Sequence, residues 1–149
     1  STLFPYTTLF RSPYRWQTKP NVNLSEILNA KLDRDYGDVD VLAWRGGRVL
    51  AIECKDLELA MTTSEVARQL HEFRGEVRAN GKPDRLKRHL LRVEVLKKEP
   101  DAVRRYTRTN GAPDIKACLM FSDIVPMSFS EIASRQDVHL TILDEVDRL

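Results

Sequence analysis

The stretch DVDVLAWRGGRVLAIECKDL, Asp38 to Leu57, constrains the fold more than any other. Alternating and β-rich runs flank Gly46-Gly47. A tight primed turn needs positive φ at both central residues, so the pattern predicts a β-hairpin. Pairing outward from the turn sets Trp44 against Val49, Leu42 against Ala51, and Val41 against Ile52. It then sets Asp40 against Glu53 and Asp38 against Lys55. A slip by one residue would mix the two faces, which the apolar pattern disfavours. One face carries Val39, Val41, Ala43, Leu50, Ile52 and Cys54 and is expected to lie on the core. The other carries Asp38, Asp40, Leu42, Ala51, Glu53 and Lys55, with its charges at one end.

Directly opposed residues have Cβ atoms roughly 4.5–5.5 Å apart. Two carboxylates that close repel unless a proton or a cation neutralises them. Convergent hard oxygens suit a divalent cation. Lys55 lies about 7 Å along the strand from Glu53, given a rise near 3.3 Å per residue. It is near enough to neutralise the pair or to contact a metal-bound water. The bland alternative is a set of surface ion pairs, worth at most about 1 kcal/mol. Glu53 and Lys55 interrupt an apolar strand, however, where charge is costly without a partner.

Around the hairpin the period changes to that of helices. Leu24, Ile27, Leu28 and Leu32, capped by Asn23, predict a helix from Leu24 to Asp33. Thr62 and Glu65 form a capping box for a helix carrying Val66, Leu70, Phe73 and Val77, ended by Asn80-Gly81. Asp84 caps the next helix, with Leu86, Leu90, Val93 and Leu96 on its apolar face, to near Pro100. Residues 104–113 read as a loop, Ile115–Phe121 as a buried strand, and Ser128 to Arg135 as a helix capped by Ser128 with Glu131. His139–Leu143 reads as a last strand, and Asp144 as the cap of a final turn. The order predicts a mixed α/β domain.

The chain has 149 residues, enough for one core, and its net charge of +2 does not argue for a polyanion partner. The basic residues of 82–108, including Lys82, Arg92, Lys97 and Arg105, outnumber the acids there. They form either a phosphate-facing surface or a solvated helix face. Cys54 and Cys118 lack metal-ligand spacing and read as reduced core residues of an intracellular, cytoplasmic protein. His71, His89 and His139 also lack ligand spacing. No apolar run is long enough to span a bilayer, so no membrane partner is expected. Thr2 to Ser12, TLFPYTTLFRS, resembles the in-frame translation of a common sequencing adapter. On that reading residues 1–12 are non-native, residues 13–149 form one N-terminally truncated domain, and a domain lost upstream is allowed for.

The residues GDVDVLAW…VLAIECKDL resemble the PD-(D/E)XK nuclease superfamily. Asp40 matches its strand acid, and Glu53-Cys54-Lys55 its acid-x-Lys motif; Asp38 is the rival to Asp40. Glu26 stands where many members carry a helix Glu. Gln69 to Phe73 has the spacing of a Gln-x-x-x-Tyr motif, with Phe for Tyr. The resemblance implies a restriction-endonuclease-like core, a central mixed β-sheet flanked by helices. It implies a Mg²⁺-dependent deoxyribonuclease, with Mn²⁺ as a substitute, and an endonuclease by preference. Asp40, Glu53, Lys55 and Gln69 would be catalytic. Asp40, Glu53, Glu26 and the Cys54 carbonyl would hold the metal. DNA is the expected partner. Dimers are common in the superfamily, so a homodimer is a further expectation. The alternative is a catalytically inactive DNA-binding or assembly module with the same fold. An RNA-directed nuclease ranks lower, because no single-strand RNA stacking motif is present.

Overall fold

The computed structural model describes residues 16–123 and 125–142. The adapter-like residues 1–12, the end of the last predicted strand at Leu143 and the predicted cap Asp144 lie outside that set. The strands are β1 (Gln17–Asn23), β2 (Asp38–Arg45), β3 (Arg48–Lys55), β4 (Asp114–Phe121) and β5 (Val138–Ile142). The helices are α1 (Leu24–Leu28), α2 (Thr63–Glu72), α3 (Arg85–Lys98) and α4 (Pro100–Thr107). Two 3-10 turns, Pro126–Phe129 and Glu131–Ser134, precede β5. The strands form one sheet in the order β1-β2-β3-β4-β5. Pairing is antiparallel across β1-β2-β3 and parallel across β3-β4-β5. A parallel step from β3 to β4 needs a long crossover, which α2, α3 and α4 supply. This is the predicted α/β class, a mixed sheet flanked by helices, and it is compatible with a restriction-endonuclease-like core.

The hairpin has the predicted register from Arg45–Arg48 to Val41–Ile52, but the expected Asp40–Glu53 and Asp38–Lys55 pairs do not form as ladder pairs. Gly46 and Gly47 both have positive φ, 55° and 87°, as a primed turn requires. The apolar face is buried, as expected, but it does not carry the main core. The larger core lies on the face that carries the charges. There Leu42, Val49, Ala51, Ala117 and Leu119 join Leu86, Leu90, Val93 and Leu96 of α3. The wholly apolar face forms a smaller cluster of Val41, Ala43, Leu50, Ile52 and Cys54 with Trp16, Cys118 and Met120. The reason is local. Only the far end of the charged face is ionic, and Leu42, Val49 and Ala51 give α3 an apolar seat beside it.

Several boundaries also differ. β1 has no predicted counterpart. Its Pro20 is tolerated because β1 is an edge strand. α1 stops at Leu28 because Asn29 takes the left-handed conformation, φ 49°. α2 has the predicted capping box but ends at Glu72. Gly75 then takes φ +78°, and a Cβ there would meet the Arg135 guanidinium at 2.5 Å. Asn80-Gly81 instead turns a small loop closed by the Val77–Pro83 bridge. Residues 100–107 are helical rather than partly loop, with Pro100 in the first turn. The predicted Ser128–Arg135 helix is two 3-10 turns, and Ser130, not Ser128, caps the second.

Candidate active site

The ends of β2 and β3 away from the turn bring Asp40, Glu53 and Lys55 together. The recorded pairing of the two strands stops at Val41–Ile52. The alternation of an antiparallel ladder would next send the Cys54 N–H to the Val39 carbonyl. The Cys54 N–H instead donates to Asp40 Oδ2 at 2.8 Å. Asp40 thus enters the sheet's own hydrogen bonding where the hairpin opens, and that fixes its side chain. Asp38, the rival acid, accepts from Asn23 Nδ2 at 2.9 Å and pairs with β1.

Glu53 is 6 % exposed and holds three basic groups around its carboxylate. Lys55 Nζ lies 3.0 Å from Oε1. Arg92 Nη1, from α3, donates to Oε2 at 2.8 Å. His89 Nδ1 lies 3.7 Å from the same oxygen. Arg92 is itself anchored, because its Nε donates to the Tyr36 carbonyl at 2.7 Å. Its guanidinium lies across Gly37, where a Cβ would come within 3.5 Å of Nη2. His89 is fully buried, and its Nε2 bonds the Ala51 carbonyl at 2.9 Å. A carbonyl can only accept, so Nε2 carries the proton. In the neutral ring Nδ1 is then the bare nitrogen, and it has no hydrogen-bond partner among the described residues.

These neighbours push the two carboxyls apart. Burial raises the pKa of Asp40, and the Glu53 charge adds to it, more than the Cys54 N–H and the cations lower it. Burial also acts upward on Glu53, but Arg92, Lys55 and His89 outweigh it and hold Glu53 below the ordinary carboxylate range. Glu53 is therefore the firmly ionised member, and Asp40 is the one that gains a proton more readily. Burial drives His89 down to about 4, so its ring is neutral near pH 7.

The other predicted site residues stand elsewhere. Glu26 Oε1 contacts Lys19 Nζ at 2.5 Å and accepts from the Tyr106 hydroxyl at 3.1 Å, in a cluster of β1, α1 and α4. Gln69 is buried, and its Nε2 donates to the Glu58 carbonyl at 2.8 Å. It lines a cleft of about 550 Å³ with Leu57, Leu70, Val125 and Pro126, beyond the ends of β3 and β4. The Cys54 thiol faces the smaller apolar cluster, and burial raises its pKa, so it is no nucleophile. Of the basic residues in 82–108, Arg92 turns inward onto Glu53, whereas Lys82, Arg88, Lys97, Arg104 and Arg105 are exposed.

Sequence reasoning missed Arg92 and His89. His89 falls in step with Leu86, Val93 and Leu96 on the apolar stripe of α3, a signal that it points inward. Among the described residues no three His, Cys, Asp or Glu side chains gather as a metal site. A cation would instead have Asp40 Oδ1, the lone pairs left on Glu53, backbone oxygen and water. This hard donor set is of the kind Mg²⁺ or Mn²⁺ takes, and a cation would offset the burial and the Glu53 charge that together raise the pKa of Asp40. No helix among the described residues is long and apolar enough to cross a membrane.

Neither the curated proteins nor the solved structures contain a match to this chain. A family model described as "Anti-phage protein Upx-like" matches residues 11–147. The chain belongs to this Upx-like family of anti-phage proteins.

Proposed function

We propose that this protein acts in phage defence as a divalent-metal-dependent nuclease that hydrolyses DNA phosphodiester bonds. The observation that carries the reading is the opened hairpin end, where Asp40 accepts the Cys54 N–H beside the Glu53–Lys55 pair. Asp40 and Glu53 would hold the metal, with the Cys54 carbonyl as a further donor. When bound, the ion supplies Lewis-acid polarisation of the phosphate and a lowered pKa for water. Lys55 orients the attacking water or offsets charge that develops on the phosphate oxygens. The exposed basic residues of α3 and α4 hold the nucleic-acid backbone without reading sequence. Gln69 would be a contact along the substrate, and Glu26, paired with Lys19 and Tyr106, is left out of the metal set.

The test is cleavage of plasmid and linear DNA with Mg²⁺ and with EDTA. Metal-dependent cutting that Asp40→Ala and Lys55→Ala abolish is the expected result. Cutting by both variants at the wild-type rate would sink the assignment. A second reading is favoured by one observation. Arg92 and Lys55 already satisfy Glu53, as a structural ion cluster would. On that reading the fold is an inactive DNA-binding or assembly module. It predicts no cutting with any divalent metal, and phage protection that survives Asp40→Ala.

A further inference from the structure

The cluster around Glu53 carries a charge balance that the nuclease reading does not use. Two carboxylates, Asp40 and Glu53, face two permanent cations, Lys55 and Arg92. Arg92 is only 11 % exposed at its side chain and is held from two sides, by Glu53 and by the Tyr36 carbonyl. The guanidinium also packs beside Gly37. It is therefore a built-in neighbour of Glu53 rather than a surface residue that strayed inward. A divalent cation entering this site meets carboxylates whose charge is already matched. It also meets a guanidinium within hydrogen-bond reach of one of its own ligands. Like charges at such range repel by more than a few RT unless solvent or an anion screens them.

We propose that Arg92 is an electrostatic gate on this site: it occupies Glu53 in the free protein and gives way to a divalent cation only when a substrate phosphodiester brings negative charge. Arg92 is then a positioning residue, acting on the cation through Glu53. Its Nε bond to Tyr36 keeps the guanidinium at the site after Nη1 is released, where it faces the incoming phosphate. The consequence is that cation and nucleic acid bind together, and the free protein does not carry a charged metal centre. The inference rests on the nuclease reading and can fail separately from it.

The experiment is calorimetric titration of Mn²⁺ at about pH 8 into the full chain, with and without a phosphorothioate-linked DNA duplex. Wild type, Arg92→Gln and Arg92→Lys are compared. The wild type should bind Mn²⁺ at least about tenfold more tightly when the duplex is present. Arg92→Gln should bind Mn²⁺ about tenfold more tightly than wild type without DNA, and gain little more from it. Arg92→Lys keeps the charge but not the second bond to Tyr36, and without DNA it should bind Mn²⁺ more weakly than Arg92→Gln. Equal Mn²⁺ affinity for wild type and Arg92→Gln without DNA overturns the gate. An unchanged wild-type affinity on adding DNA overturns it as well, and that arm stands even if Arg92→Gln does not fold. If wild type cuts DNA and the gate fails, the nuclease reading survives. If wild type neither cuts nor binds Mn²⁺ with DNA present, both fall.

Discussion

Acidification should unfold this protein through His89. The ring is fully buried, its Nε2–H is committed to the Ala51 carbonyl, and burial lowers its pKa from 6.5 to about 4. The unfolded chain binds a proton near pH 6.5, and the folded chain does not until about pH 4. Between those values the unfolded state binds more protons, so stability falls as pH falls. Integrated from about pH 7.5 to about pH 5, the loss from this one group is about 2 kcal/mol, and it approaches about 3 kcal/mol by pH 4. The two carboxyls of the site modify the lower part of the window. Glu53, with its lowered pKa, loses stability below the ordinary carboxylate range, in the same direction. Asp40, with its raised pKa, takes up its proton early when folded and offsets part of that loss. Urea unfolding at several pH values measures the slope. His89→Gln keeps a donor for Ala51 but cannot titrate, so its stability should change by less than about 0.5 kcal/mol between pH 7.5 and pH 5. A variant slope equal to that of wild type would show that the ring does not control the transition.

The core and the helix caps give two further tests. Leu119, fully buried on β4 among the α3 contacts, should cost about 2–5 kcal/mol as Leu119→Ala in urea unfolding. Thr62→Ala removes the hydroxyl that accepts the Glu65 N–H and half of the α2 capping box, and should cost about 1 kcal/mol by thermal denaturation. A change below about 0.3 kcal/mol would mean that the start of α2 contributes nothing to global stability.

The hairpin was legible because period-2 alternation and Gly46-Gly47 are both local signals. The same holds for the Thr62 cap and the apolar stripe of α3. β1 was hidden because QTKPNVN has no alternating apolar face and contains Pro20, which only its edge position permits. The end of α2 depends on Arg135, which bonds the Arg74 carbonyl from 61 residues away. No local pattern reports that contact. The candidate site divides in the same way. Register brought Asp38, Asp40, Glu53 and Lys55 to one end of the hairpin, and the resemblance chose Asp40 over Asp38. That the carboxylates needed a neutralising partner also followed from register. The identity of that partner did not, because Arg92 reaches Glu53 from a helix 39 residues on. The larger core on the charged face was hidden for a related reason. Burial depends on where α3 lies, and the hairpin sequence does not encode that.

The Gly46-Gly47 turn stands six residues from Asp40, or about 20 Å along the strand. The alternation it starts decides which side of the sheet each later side chain takes. Loss or gain of a single codon there would invert one strand and send Asp40 or Glu53 toward Cys118 and Met120. Insertions of one residue at this distant, exposed corner should therefore be purged as strictly as changes to the carboxylates themselves, although the turn touches no ion and no phosphate.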